Sequence, residues 1–195
     1  MVLDSSPEQL LADPSLITYK GPVAMSLFDS IISAIQSPQH AGSNQDLQSM
    51  ANLTNIIPGL QGAGQQIQPI LNVLGPHLQD VLNEQKQTKG AAAAQQTVKD
   101  LSQPGVGVQD LQNLFGTDRF NGIINQISQA TGLNNQLILS ALPLVIPVIM
   151  QLLAAGNHQT NPQAPNPVLN HFLGGQNGGA LLNEAFQLAS QYIKK

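Results

Sequence analysis

The chain contains no cysteine and no tryptophan, and only 4% of its 195 residues are aromatic. Without cysteine it has no disulfides, no thiolate metal ligands and no thiol nucleophiles. This composition fits a reducing compartment. The first fifteen residues, MVLDSSPEQLLADPS, carry acids where a secretory signal would be basic and then continuously apolar. We therefore expect a cytoplasmic protein.

Charge is also scarce, because Asp, Glu, Lys and Arg make up 9% of the chain against roughly 25% in an ordinary globular protein. The sequence holds 26 glutamines and 16 asparagines, so uncharged amides take over much of the surface. Arg119 is the single arginine and the net charge is -4. Without a basic stripe or stacking aromatics, the chain is not expected to bind nucleic acid.

Strand patterns are missing as well, since no convincing alternation of β-branched residues appears. Apolar residues instead recur at helical spacing, first in MSLFDSIISAIQ at residues 25–36. We predict an all-α fold, a compact helical domain of about nine or ten helices around one very apolar central helix at about 134–155. One short helical candidate, PEQLLA, precedes this domain, and a pair of helices, PVLNHFL and ALLNEAFQLASQYI, follows it.

Turn and capping residues predict where several helices begin and end. Asn44 or Asp46 is expected to cap the second main helix, and Thr117 or Asp118 the helix DRFNGIINQISQAT. Gly132 is expected to end that helix in a left-handed conformation. A third, longer helix should begin near Gln65 or Pro69 and be kinked at Gly75-Pro76.

Proline and glycine clusters divide the chain. Residues 1–24 form an N-terminal extension, and residues 25–156 form the main helical domain. Residues 157–166 form a polar, proline-rich linker. Residues 167–195 are predicted to form a helical hairpin that packs on the main domain.

The stretch LILSALPLVIPVIMQLLAAG, residues 137–156, is long enough to cross a membrane. No lysine or arginine lies near its ends to set a topology, and no Trp or Tyr marks an interface. A helix that is apolar all round is typical of the centre of a helical domain. We therefore interpret it as a core helix rather than as a membrane span. It could also line a ligand cavity or face a second copy of the chain.

No pattern in the sequence indicates catalysis, a cofactor or a metal. The four histidines lie far apart in the sequence, and an HExxH signature is absent. His77, Asp80 and Glu84 share one helical face, for which a solvated surface is the simpler interpretation. The glycine-rich loop before Glu184 has the frame of a calcium loop but lacks the ligating acids.

Three segments resemble the YidB-like group of bacterial proteins of unknown function, especially its longer cyanobacterial type. They are the MSLFD opening, the segment ATGLNNQLILSALPLVIPVIMQLLAAG, and NPVLNHFL with its glycine loop and LASQYI. The resemblance covers about residues 25–195 and implies a compact, all-helical fold. Relatives can carry an Asp-rich loop near the C-terminus, from which this sequence departs at residues 174–179. The family implies no activity and no catalytic residues.

The leading functional hypothesis is a non-enzymatic helical protein that self-associates or scaffolds other proteins. Its partners would be further copies of the chain and an unidentified protein, since amide-rich faces repel one another little. The alternative is a carrier or binding module for a lipid or other apolar ligand. The residues proposed for either surface are Phe120, Leu137, Leu144, Ile146, Val148 and Ile149.

Overall fold

The computed structural model describes residues 26–52, 66–161 and 163–193. Within these ranges the chain forms nine α-helices and no β-strand, which confirms the predicted all-α fold. The helices are α1 (Leu27–Gln36), α2 (Asn44–Ala51), α3 (Ile67–Lys89), α4 (Ala91–Leu101), α5 (Val108–Phe115), α6 (Thr117–Thr131), α7 (Asn135–Ala154), α8 (Pro167–Gly174) and α9 (Gly178–Ile193). The candidate helix PEQLLA and the whole predicted N-terminal extension, residues 1–24, lie outside the described residues. The division into domains stays a prediction.

The predicted apolar helix is α7. The side-chain oxygen of Asn134 accepts a hydrogen bond from the N–H of Leu137 and caps its first turn, at 2.8 Å. Ten of its residues are buried, although Pro143 and Pro147 lie inside it. The helix is long and apolar enough to cross a membrane, but 56% of its most apolar 18-residue stretch is buried inside the protein. Burial of this extent is typical of a core helix.

The second long helix, α3, organises the remaining helices together with α7. Four shorter helices, α4, α5, α6 and α8, each contact both long helices. The last helix, α9, packs mainly against α3 and α2, while α1 packs against α8 and α9. Buried apolar side chains from Leu27 to Ala189 form one continuous core cluster. The hydrophobic effect therefore acts on all nine described helices together.

The two ends of α6 confirm its predicted stop and correct its predicted start. Gly132 ends α6 in the left-handed conformation with φ of 73°, as predicted. Thr117 and Asp118 do not cap α6, so that prediction was wrong: the helix already begins at Thr117. Gly116, with φ of 82°, is both the C-cap of α5 and the N-cap of α6. No side chain caps the start of α6, because Gly116 alone forms the turn between the two helices.

The Gly75-Pro76 pair lies inside a helix that continues without interruption to Lys89. Gly75 is buried, and a Cβ atom built on it would lie 2.2 Å from the backbone nitrogen of Gly179. A Cβ on Gly178 would in turn lie 2.6 Å from the carbonyl oxygen of Gly75. The backbones of α3 and α9 therefore touch directly, which only residues without a side chain allow.

This contact predicts that Gly75→Ala destabilises the protein. The added methyl group must push the start of α9 away from α3, and overpacking of this kind typically costs about 1–3 kcal/mol. We expect the free energy of unfolding in urea to fall by that amount.

Gly122→Ala is the matched control. Gly122 also lies inside a helix, but a Cβ there would meet no atom within 4 Å. Alanine should therefore stabilise α6 by about 0.5–1 kcal/mol, because it has the higher helix propensity. Equal effects of the two substitutions would contradict the close approach of α3 and α9.

Candidate functional site

Polar residues are rare in the described core, and the three that are buried are all side-chain amides: Gln79, Gln95 and Asn166. Each donates a hydrogen bond to a backbone carbonyl oxygen in the C-terminal part of the chain, between Leu153 and Gly175. Buried backbone groups without a partner are costly, so these amides supply donors to carbonyls at helix ends and, for Gln95, in the connection between α7 and α8.

Gln79 connects α3 to both α8 and α9. Its Nε2 donates to the carbonyl oxygens of Phe172 at 2.7 Å and Gly175 at 2.6 Å. Its Oε1 accepts from the backbone N–H of Gly178 at 3.1 Å. One amide therefore satisfies the end of α8 and the start of α9, where helices lack internal partners. This arrangement fixes the glycine-rich loop on the core.

Asn166 connects α7 to α8 in the same way. Its Nδ2 donates to the carbonyl oxygen of Leu153 at 2.7 Å and to Oδ1 of Asn157 at 2.8 Å. Its Oδ1 accepts from the N–H of Leu169 at 2.8 Å and so caps α8. The end of the apolar helix and the beginning of the next are joined by a single side chain.

An open cleft of about 660 Å³, called the amide cleft below, lies between α4, the C-terminal end of α7 and the connections that adjoin them. Its walls combine small apolar residues with amides, one carboxylate, one ammonium group and one imidazole. They are formed by Ala41, Asp46, Ala92, Gln95, Gln96, Lys99, Ser102, Gln103, Gln151, Ala154, Ala155, Asn157, His158, Gln159 and Gln163.

Backbone pairing closes one side of the amide cleft. The N–H groups of Ala41 and Gly42 each donate at 2.9 Å, to the carbonyl oxygens of Asn157 and Ala155. The rings of His40 and His158 meet edge to face with their centroids 6.0 Å apart. The connection between α1 and α2 is thereby held against the segment that follows α7.

Asp46 brings a carboxylate to this cleft from the first turn of α2. It accepts hydrogen bonds from the N–H of Ser43 at 2.7 Å and from its hydroxyl at 3.2 Å. Burial raises the pKa of the Asp46 carboxyl above its usual range, and the two hydrogen bonds from Ser43 act in the opposite direction. Neither Asn44 nor Asp46 is the cap that we predicted, because α2 already begins at Asn44. Asp46 instead lies in the third helical position, where its carboxylate accepts from the residue before the helix.

The six residues predicted for an interaction surface divide into two groups. Leu137 and Leu144 lie on the outside of α7, each 37% exposed. The other four belong to the buried core, namely Phe120, Ile146, Val148 and Ile149. Only the first two are thus accessible to a partner in this conformation, and whether they bind one stays a prediction.

The remaining polar candidates are dispersed. Nε2 of His77 lies 3.4 Å from Oε1 of Gln126 on α6. Glu84 is 3.8 Å from Arg119 in an ion pair whose two side chains are well exposed. Exposed pairs of this kind contribute little to stability. Among the described residues there is no group of three or more His, Asp or Glu side chains that could hold a metal ion.

The fold and its contacts define an all-α protein built on two long helices, with buried amides at the helix junctions. Residues 62–156 match the family model of DUF937, a bacterial protein family of unknown function. The resemblance to the YidB-like family is confirmed over this segment. No curated protein and no solved structure matches the chain.

The position of Gln79 predicts a large effect from the loss of its amide. Gln79→Met keeps the length of the side chain but leaves two carbonyl oxygens and one N–H without partners. We expect the free energy of unfolding to fall by about 1–3 kcal/mol, the usual penalty for an unsatisfied buried polar group.

Gln87→Met is the control because Gln87 lies on the same helix and is exposed. Its substitution should change the stability by less than about 0.5 kcal/mol, as surface substitutions usually do. Urea denaturation followed by circular dichroism measures both values. A Gln79→Met protein as stable as the wild type would show that the amide does not support the loop.

Proposed function

We propose that this protein is a non-enzymatic helical protein that self-associates through the outer face of α7. The observation that carries the proposal is that Leu137 and Leu144 lie exposed on the most apolar of the described helices. With Ser140 they stand at positions i, i+3 and i+7, which share one face of a helix. An exposed apolar stripe on a water-facing surface is stabilised when a partner covers it.

The charge distribution supports a second copy as the partner. From Phe120 to Asn183 the sequence contains no Asp, Glu, Lys or Arg. Charged side chains usually prevent unwanted association because like charges repel one another. The α7 face has none, so two copies can meet there without this repulsion. A self-complementary patch is also what a two-fold symmetric dimer requires.

Pro143 and Pro147 provide a further reason for contact with a partner. Proline has no backbone N–H, so the carbonyl oxygens of Leu139 and Pro143 lose their donors four residues later in the helix. Both carbonyls lie in the partly exposed stretch of α7. Serine or amide side chains of a second copy are suitable donors for these oxygens.

The non-enzymatic part of the proposal is supported by the dispersal of the described titratable side chains. The alternative, a carrier for an apolar ligand, has no specific observation in its favour. Phe120, the residue of α6 proposed for its surface, packs into the buried core with Ile123, Ile124 and Ile127.

Leu144→Glu tests self-association. A carboxylate at the centre of the α7 stripe would have to lose its water in the interface, and in a symmetric dimer it would face its own copy. We expect the wild-type protein to form a discrete multimer in native mass spectrometry without detergent. Leu144→Glu should weaken it at least about tenfold, equivalent to about 1.4 kcal/mol.

Gln87→Glu adds the same charge to an exposed position of α3 and should leave the multimer unchanged. Circular dichroism of each variant checks that the helices are intact. A wild-type protein that stays monomeric at every concentration, or a Leu144→Glu protein that associates like the wild type, would refute the proposal. Recovery of the protein only with detergent would favour a membrane role for α7 instead.

A further inference from the structure

The amide cleft has the dimensions of a small-molecule site. Its volume of about 660 Å³ lies within the range of about 300–1,000 Å³ that is usual for ligand pockets. It is formed by α4, the end of α7 and the residues around His158, and it does not include Leu137 or Leu144. Its function can therefore be considered separately from self-association through α7.

The hydrogen bonds of the wall amides determine which of their atoms are free. The Nε2 groups of Gln95, Gln151 and Gln159 donate to the carbonyl oxygens of Ala164, Ser102 and His40, at 3.2, 3.2 and 2.8 Å. Because a carbonyl oxygen can only accept, the orientation of each amide is unambiguous.

The amide of Gln96 is oriented in the same way, because its partner is also an oxygen that only accepts. Nε2 of Gln96 donates to Oδ1 of Asp100 at 2.7 Å. The Oε1 atoms of these four glutamines make no hydrogen bond to described residues. Gln96 and Gln159 are exposed and Gln151 is half-buried, so the walls of the cleft carry oxygens that can accept hydrogen bonds from a ligand.

The amide cleft has one negatively and one positively charged side chain on its walls, so it carries no net formal charge. Asp46 and Lys99 are the only formally charged side chains among the described residues that line it. An anionic ligand would have one ammonium group to attract it, and it would also meet a carboxylate and several amide oxygens. A neutral molecule that carries several hydrogen-bond donors matches these walls better.

Alanine side chains complete the surface of the cleft. Ala41, Ala92 and Ala154 offer small apolar patches between the amides. We propose that the amide cleft binds a neutral, hydroxyl-rich small molecule of monosaccharide or disaccharide size. Its hydroxyl groups donate to the amide oxygens, and its carbon-bound hydrogens lie against the alanines.

Saturation-transfer NMR on the full chain tests this assignment with glucose, maltose and myo-inositol as probes. At least one of the three should bind with a dissociation constant of about 1 mM or below. Glucose 6-phosphate, the anionic counterpart of glucose, should bind at least about fivefold more weakly than that probe, since the oxygens of the walls oppose a phosphate.

Ala92→Trp tests the location. Ala92 is an exposed residue of α4 that lines the cleft, so an indole there fills the cavity without entering the core. Binding should fall at least about tenfold. Ala91→Trp adds the same group one position earlier, at an exposed residue that does not line the cleft, and should bind like the wild type.

Gln96→Met provides a second test that does not depend on a bulky group. It removes one acceptor oxygen from an exposed side chain, and it should weaken binding several-fold while the fold is kept. Absence of binding by all three neutral probes would overturn the proposal. So would tighter binding of glucose 6-phosphate, or equal binding by the wild type, Ala92→Trp and Gln96→Met.

Discussion

The junctions between helices are the constraint on which this structure depends. A helix end leaves backbone groups without partners, and a buried end must find them elsewhere. Gln79 and Asn166 supply those partners at the two junctions that place α8 and α9 on the core. Each amide both donates and accepts, so a single uncharged side chain can satisfy two helix ends. In a chain with little charge, this is how the C-terminal segments gain a defined position.

The same lack of charge shapes the two surfaces with proposed functions. The long uncharged stretch from Phe120 to Asn183 contains all of α7, so its outer face presents leucine, proline and serine without repulsion between copies. Near the end of that helix, the cleft is lined by glutamines whose nitrogens already bind backbone carbonyls. Both the apolar stripe on α7 and the acceptor-rich cleft thus follow from the scarcity of charged residues in this part of the chain.

Helical periodicity was sufficient to predict the fold class, the apolar helix and the stop at Gly132, because these are local properties of the chain. The cap of α6 was predicted wrongly, since Thr117 and Asp118 are good capping residues by type. The turn at Gly116 is shorter than their use as caps would require. Local sequence patterns do not show how many residues a turn between two helices contains.

The amide junctions and the cleft could not be predicted for a different reason. Gln79 lies 93 residues before Phe172, and nothing in its neighbourhood distinguishes it from the many exposed glutamines. A weak signal did exist: Gly75, four residues earlier, and the paired glycines at 178–179 are the kind of small residues that allow two backbones to touch. The six residues chosen for a surface were chosen by apolarity alone, and apolarity does not separate Leu144 from the buried Ile146.

Hydrogen exchange of individual backbone amides, followed by NMR on the wild-type protein, tests the amide junctions most directly. The N–H groups of Gly178 and Leu169 are bound by side chains alone, Gln79 and Asn166 respectively. If these junctions belong to the core, both amides will exchange as slowly as those in the middle of α3 and α7. Exchange as fast as at the exposed turn around Gly105 would contradict the central role of the buried amides.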